Sequence, residues 1–445
     1  MEFKGKNILI IGLARSGMAA IRLLHKLGAD RITLTEKKEI KDREYLESIG
    51  VEIVPQTDEV FEKDYDLVIK NPGVPPVSPF IRSMKERGIP VITEIELAFM
   101  TARPQHYIAI TGTNGKTTTT TLVYECLKKA YGDRAHVCGN IGTPLCEAVL
   151  EYGLLEDEGH YISLEISQAQ LVDIVTFRPD VSVVVNLTPD HIDSMGGLDN
   201  YYTAKTRVYL NMKEDDLFLM NGDDENVKEY TERYPVHCDV QTFSLYRDDT
   251  DAKLSGGWMV INGEPVIDLS KVTLPGMHNL QNIMIAACAC LREGVSAEDI
   301  RETVYSFKGV EHRIEFTREL DGVRYYNDSK ATNTDATITA LKSFDHGVIL
   351  LVGGFEKGLA MDEVKKYLGC VKKVIGYGFS GRRIATDLVG EDALIVNDLK
   401  EAVLKAKEYA VSGDTVLLSP STSSFDQYSG FEERGRHFKE IVNSL

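Results

Sequence analysis

Long apolar runs are missing from this sequence. Runs such as Val181–Val185 and Val348–Val352 are strand-sized, and none approaches the roughly 20 residues that cross a bilayer. No membrane partner is expected. The start, MEFKGKNILIIG, has no long apolar segment before a small-residue cleavage site, so no secretory leader is expected. Cysteine is scarce: seven residues, an odd number, with no CxxC pair. That argues against a disulfide framework or a zinc site. Cys288 and Cys290 lie in an apolar helical stretch and read as small core residues. Basic charge is outnumbered, 50 Lys and Arg against 68 Asp and Glu, for a net charge of −18. Nucleic-acid binding is therefore not expected. Small anions stay open as ligands, because local lysines, arginines and helix N-termini hold them. The chain shows no internal repeat and no low-complexity segment. With 43% hydrophobic and 27% charged residues it reads as globular, reduced and cytoplasmic, and a monomer is expected. Its 445 residues suggest about three domains at roughly 150 residues each.

Three strand-then-helix blocks follow one another. The first opens with Ile8–Ile11, turns through Gly12-Leu13-Ala14-Arg15-Ser16-Gly17 and enters a helical stretch to Leu27. A strand near Arg31–Thr35 follows, and another over Leu67–Ile69 ends in the breakers Asn71-Pro72-Gly73. The second block starts near Ile108 and continues through strands at Tyr161–Ile166 and Val181–Val185. From Asp239 to Leu274 the segments are short, with turns at Ser255-Gly256-Gly257 and Asn262-Gly263, and predict a small antiparallel appendage. A helix is predicted over Asn279–Glu293, with Asn279 as its cap. The third block has strands at Val348–Val352, Val374–Tyr377 and Thr415–Leu418. Alternation of this kind predicts doubly wound α/β sheets.

The strongest local signal is TGTNGKTTTTT, residues 111–121, directly after the strand Tyr107–Ile110. Glycines let the backbone wrap a phosphate, and successive N–H groups with a helix N-terminus supply positive potential. Lys116 can reach the terminal phosphates and the Thr117 hydroxyl can ligate Mg²⁺. Ile110 stands where the usual P-loop has a glycine, yet the GK-hydroxyl core remains. Glu165 ends a strand, and Asp190-His191 follow another, where α/β sites lie. Gly12–Gly17 resembles a dinucleotide fingerprint with Ala14 in place of its middle glycine, and Thr35-Glu36 sit where a ribose or base contact belongs. In the third block, Asn327–Asn333, Gly353–Gly358 and Ser419–Gly435 each follow a strand. They offer a lysine, a lysine and a hydroxyl cluster, which suits a small polyanion.

Together these residues resemble the Mur ligase family, ATP-dependent peptide ligases of peptidoglycan precursor synthesis. The resemblance covers all 445 positions in the right order. T-G-T-N-G-K-T-T and D-S-K-A-T-N carry it, and the tail Ser424-Phe425-Asp426-Gln427 with Phe431-Glu432-Glu433-Arg434-Gly435 looks like the D-glutamate-adding branch. The Asp-Asn-Pro-Arg motif of the diaminopimelate-adding branch is absent. The resemblance implies three domains: a Rossmann-like UDP-substrate domain (1–98), a central P-loop ATPase-like domain with the antiparallel appendage (99–308), and a Rossmann-like amino-acid domain (309–445). It implies ATP and Mg²⁺ as cofactors, UDP-N-acetylmuramoyl-L-alanine and D-glutamate as substrates, and an acyl-phosphate route. It further implies that Gly112, Thr113, Asn114, Gly115, Lys116, Thr117, Thr118, Asn282, Arg313 and Asp328 bind ATP. Thr117, Glu165, His191 and a carbamylated Lys205 would hold Mg²⁺, with Lys116, Glu165, His191 and Lys205 catalytic. His191 suits a base as well as a metal ligand. Leu13, Ala14, Arg15, Thr35, Glu36, Asn71, Gly73 and Asn140 would take the UDP substrate. Lys330, Thr332, Lys357, Ser424, Phe425 and Phe431 would form the D-glutamate pocket.

One departure stands out. The family usually follows Glu-x-Ser with Ser-Phe-Gln-Leu, and this chain has Gln168-Ala169-Gln170-Leu171. Packing around the muramoyl substrate is expected to differ there, and no role passes to Gln168 or Ala169. Phe425 stands where leucine is common.

Overall fold

The computed structural model describes residues 2–189 and 192–445. Among them, the strands assemble into three sheets. The first contains β1 (Ile8–Ile11), β2 (Ile32–Thr35), β3 (Val51–Val54), β4 (Leu67–Lys70) and β5 (Val91–Ile92) in the order β3-β2-β1-β4-β5. All its pairs are parallel. The strand order reverses between β1 and β4, and open α/β sheets bind ligands beyond the carboxyl ends at such a point.

The second sheet holds β6 (His106–Thr111), β7 (Ala135–Gly139), β8 (Tyr161–Glu165), β9 (Val181–Val184), β10 (Leu217–Asn221), β11 (Asp239–Phe243), β12 (Ala252–Ser255), β13 (Trp258–Ile261) and β14 (Glu264–Asp268). Its order is β14-β13-β12-β11-β10-β9-β6-β8-β7. β9 reads VSVV and is buried throughout, as parallel strands covered on both faces are. The hairpins β12–β13 and β13–β14 are antiparallel and turn at the two predicted glycine sites. Asp239–Phe243 differs from expectation: β11 pairs in parallel with β10 along its whole length, so it extends the main sheet and the antiparallel appendage begins at β12. A five-residue parallel strand has the same composition as a short hairpin arm, and only pairing separates them. The helix predicted from Asn279 begins instead at Met277. Asn279 lies inside its first turn, its amide donating to the Pro275 carbonyl at 2.7 Å, so it is not the cap.

The third sheet holds β15 (Glu315–Leu320), β16 (Val323–Asn327), β17 (Val348–Gly353), β18 (Val371–Tyr377), β19 (Leu394–Ile395) and β20 (Thr415–Leu418), ordered β15-β16-β20-β17-β18-β19. Alternate residues of β17 serve two cores. Ile349 and Leu351 pack with Phe438 and Val403, whereas Val348, Leu350 and Val352 pack with Ile384 and Leu341. Period-two alternation thus buries both faces under helices.

The chain divides into two compact units, Met1–Val272 with Gln281–Tyr305, and Thr273–Leu280 with Ser306–Leu445. The first two sheets share a unit because one core runs through both, from Ile10, Leu23 and Leu24 to Cys146, Val149 and Phe177. Residue 98 lies within the helix Glu94–Thr101, which belongs to that shared core.

Candidate active site

In the first unit, β6 ends at Thr111 and the helix Lys116–Tyr131 begins five residues later. The turn between them needs glycine at 115: φ is 82°, and a Cβ there would lie 2.6 Å from Asn282 Oδ1. The loop is braced from the side by residues following β9. Thr113 N donates to the Asn186 carbonyl at 3.0 Å and Asn114 N to Asn186 Oδ1 at 2.8 Å. Thr113 Oγ1 donates to the Thr188 carbonyl at 2.9 Å. Lys116 Nζ folds back onto the loop, donating to the carbonyls of Gly112 at 2.8 Å and Thr113 at 2.9 Å. Lys205, on the helix Leu198–Thr206, is fully buried and donates to the same Gly112 carbonyl at 2.8 Å. Its ammonium lies 4.6 Å from the Tyr201 ring centroid.

Glu165 ends β8 opposite Ile110 on one side and Gly139 on the other. Its carboxylate is 1% exposed. Asn140 Nδ2 donates to Glu165 Oε1 at 2.8 Å, and Oε2 is buried without a hydrogen-bond partner among the described residues. A carboxylate oxygen sequestered in this way is costly, and a hard cation with oxygen preference satisfies it. The residues therefore fit Mg²⁺ beside a phosphate loop. Asp190 and His191 lie outside the described residues.

A cavity of about 1020 Å³ opens at the carboxyl ends of β1 and β4. Leu13, Ala14, Arg15, Glu36, Asn71 and Gly73 line it. Ala14, standing where a dinucleotide fingerprint has glycine, keeps a positive φ of 24°, which side chains other than glycine rarely adopt. Burial works to raise the Glu36 pKa but is outweighed by backbone N–H groups of Leu13, Lys38 and Lys37, which hold it below its ordinary value. This carboxylate thus ties the β2 turn to the β1 turn, with Leu13 N at 2.7 Å. Thr35 is fully buried and is not among the residues that line the cavity, and Asn140 is engaged with Glu165.

In the second unit, the three polar loops follow β16, β20 and β17, which are neighbours in the sheet. A fully buried arginine, Arg434, holds them together. Its guanidinium donates to Ser329 Oγ at 3.0 Å, the Ser329 carbonyl at 2.9 Å, the Thr422 carbonyl at 3.1 Å and the Gly353 carbonyl at 3.4 Å. Asp328 is buried, which pushes its pKa up to about 6 against the pull of Arg313 and the Ser419 hydroxyl. Arg313 Nη1 is 3.9 Å from it. Lys330 Nζ sits 5.6 Å from the Phe431 ring centroid, and Lys357 Nζ donates to the Thr332 carbonyl at 3.2 Å. The Ser424 hydroxyl is buried without a hydrogen-bond partner among the described residues. Phe431 packs edge-on to His312, whereas Phe425 is 67% exposed.

A model of the Mur ligase middle domain matches residues 110–290, and one of the Mur ligase, glutamate ligase domain matches residues 312–422. A curated protein of Thermoanaerobacter pseudethanolicus, UDP-N-acetylmuramoylalanine--D-glutamate ligase, is 40% identical over the full length of both chains. The chain belongs to the Mur ligase family. A protein of the same name from Geobacillus kaustophilus is 40% identical over all of this chain and 98% of its own. Among solved structures, Mur ligase relatives share the fold. The MurF ligase of Thermotoga maritima, in complex with ADP, gives a TM-score of 0.60 at 17% identity, covering 100% of this chain and 96% of its own. The UDP-N-acetylmuramate-alanine ligase of the same organism gives 0.58 at 20% identity, covering 99% of each chain.

Within this Mur ligase, Lys116, Glu165, Lys205, Asn140 and Asn282 fall in the first unit, as do the eight residues expected around the UDP substrate. Arg313, Asp328, Lys330, Thr332, Lys357, Ser424, Phe425 and Phe431 fall in the second. Three residues that shape these sites escaped the sequence reading, Asn186, Thr188 and Tyr201, and Arg434 was read only as part of the tail motif, with no role of its own. For Arg434 a signal existed. The apolar stripe Phe431, Phe438, Ile441 and Val442 puts position 434 on the buried face of the helix Phe431–Ser444, where a lone arginine needs acceptors. In the departing segment, Gln170 closes the local turn, its Oε1 accepting from Ser167 N and Oγ, both at 2.9 Å.

Proposed function

We propose that the chain joins D-glutamate to UDP-N-acetylmuramoyl-L-alanine, converting ATP to ADP and phosphate, in the cytoplasmic stage of peptidoglycan synthesis. The observation that carries this reading is full-length identity of 40% to a D-glutamate ligase. The γ-phosphoryl group of ATP passes to the alanyl carboxylate. The D-glutamate amine attacks the resulting acyl phosphate, the tetrahedral adduct expels phosphate and loses a proton, and the amide remains.

The N-terminal domain (1–98) takes the UDP group through Leu13, Ala14, Arg15, Thr35, Glu36, Asn71 and Gly73, and Asn140 meets the muramoyl part. The central domain (99–308) binds ATP through Gly112–Thr118 and Asn282, with Arg313 and Asp328 contributed by the C-terminal domain (309–445). Lys116 leaves the loop carbonyls for the transferring phosphate and offsets the charge that grows there. Thr117, Glu165, His191 and a carbamylated Lys205 hold Mg²⁺, which neutralises phosphate charge when bound. The neutral Lys205 amine adds CO₂ and releases a proton to form the carbamate, which exchanges a buried cation for oxygen donors. Lys330, Thr332, Lys357, Ser424, Phe425 and Phe431 receive D-glutamate. Catalysis is mainly positioning and electrostatics. The enzyme works as a monomer, without nucleic acid or membrane.

Mass spectrometry of a mixture of enzyme, ATP, Mg²⁺, the UDP substrate and D-glutamate tests this. The expected product is the UDP substrate plus one glutamyl residue. An unchanged UDP substrate after complete incubation refutes the reading.

A further inference from the structure

Lys70 is the last residue of β4, and its side chain is fully buried. It makes two contacts that point opposite ways. Nζ donates to the Val74 carbonyl at 3.2 Å, closing the turn Asn71-Pro72-Gly73-Val74 that lines the 1020 Å³ cavity. It also pairs with Asp173 Oδ2 at 3.2 Å, and that carboxylate is fully buried too. Asp173 lies just beyond the helix Gln168–Leu171, in the segment that follows Glu165. The same segment is gripped from its other side by Arg207, whose Nε donates to the Leu171 carbonyl at 3.0 Å and Nη2 to the Ile174 carbonyl at 2.6 Å. Arg207 stands two residues after Lys205, which holds the Gly112 carbonyl of the phosphate loop. Lys85, half-exposed, makes a second ion pair to Asp173.

We propose that Lys70, Asp173 and Arg207 form a strut that sets the register between the UDP-substrate cradle and the phosphate loop, making them positioning residues for ligation. The inference rests on the ligase reading above. A buried ion pair is a poor device for stability alone, since two apolar side chains pack as well without desolvation. What it adds is direction: lysine and carboxylate fix a distance that aliphatic contacts leave soft. The distance matters here because the alanyl carboxylate must meet the terminal phosphate of a nucleotide held by another sheet, and a misplacement of about 1 Å costs on the order of a hundredfold in rate. Lys70 and Arg207 meet on the segment 171–174, and the backbone from Arg207 back to Lys205 carries the path on to the Gly112 carbonyl.

The test uses the full-length enzyme. Calorimetric titration gives the Kd of the UDP substrate without turnover, and steady-state assays well below each variant's Tm give kcat and the KM for ATP. Lys70→Met should lower kcat by about a hundredfold while the UDP-substrate Kd and ATP KM stay within about threefold. Lys85→Met removes a partner of the same aspartate but leaves the strut, and should keep kcat within about twofold. If Lys70→Met does not fold, Arg207→Lys, which keeps the charge but cannot reach both carbonyls, should show the same split. A full kcat in Lys70→Met, a loss confined to UDP-substrate binding, or an equal loss in Lys85→Met overturns the strut. A wild-type enzyme that binds the UDP substrate but forms no amide overturns the ligase reading and the strut with it; normal turnover in both wild type and Lys70→Met overturns the strut alone.

Discussion

Exchanging Arg434 for lysine should loosen the whole D-glutamate side of the enzyme. The guanidinium spans three loops with four hydrogen bonds, to Ser329 twice, to Thr422 and to Gly353. An ammonium is a point donor and cannot span a planar fork's acceptors. At least two of the four bonds should be lost, at roughly 1.5–3 kcal/mol each for a charged donor. Neighbouring bonds do not add fully, so a destabilisation of about 3 kcal/mol is expected. Ser329 precedes Lys330 and Thr422 precedes Ser424 by two residues, so relaxation of those carbonyls should displace the groups proposed to face D-glutamate. Urea denaturation of wild type and Arg434→Lys reads the first effect, and the apparent D-glutamate KM, expected to rise about tenfold or more, reads the second. A variant within about 0.5 kcal/mol of wild type, with an unchanged D-glutamate KM, refutes the reasoning.

Lys116→Ala should abolish ligation with the fold intact, because several kcal/mol of transition-state stabilisation depend on that charge; near-normal phosphate release would refute the phosphate-loop assignment. Lys205 should carry a carbamate in bicarbonate, and Lys205→Ala should be inactive but partly rescued by a short carboxylate; a crystal structure at high bicarbonate with a bare amine, and a rate indifferent to bicarbonate, would contradict this. Ser424→Ala and Lys357→Ala should each raise the D-glutamate requirement about ten- to a hundredfold with much smaller effects on ATP; the reverse pattern would move the pocket elsewhere. Burial raises the pKa of Glu94 to about 7. An acid with a raised folded pKa is most favourable while protonated, so its contribution falls as pH rises from its ordinary range to 7. Relative to Glu94→Gln, wild type should lose up to about 3 kcal/mol over that interval, and parallel urea curves at pH 4.5 and 7.5 would contradict it.

Much of this architecture was legible because each signal is local. The phosphate loop announces itself by glycine and lysine spacing, and the polar loops after β16, β17 and β20 by their position behind apolar strands. That those three strands are neighbours, so that their loops converge, is a matter of sheet order, which spacing does not encode. The same limit explains β11, whose parallel pairing with β10 depends on a partner 22 residues earlier. It also explains the bracing of Thr113 and Asn114 by Asn186 and Thr188, and the contacts of Lys70 and Arg207 with the segment around Asp173. In each case a polar side chain acquires its meaning from an acceptor distant in sequence. Phe425, which the resemblance assigned to the D-glutamate pocket, stands largely exposed.

The central claim is that this Mur ligase accepts D-glutamate as its amino acid. The direct measurement is phosphate release with ATP, Mg²⁺ and UDP-N-acetylmuramoyl-L-alanine against a panel of D- and L-amino acids. D-glutamate alone should support sustained release, in step with amide formation. Release driven equally by L-alanine, L-glutamate or diaminopimelate, or none with D-glutamate, would contradict the account.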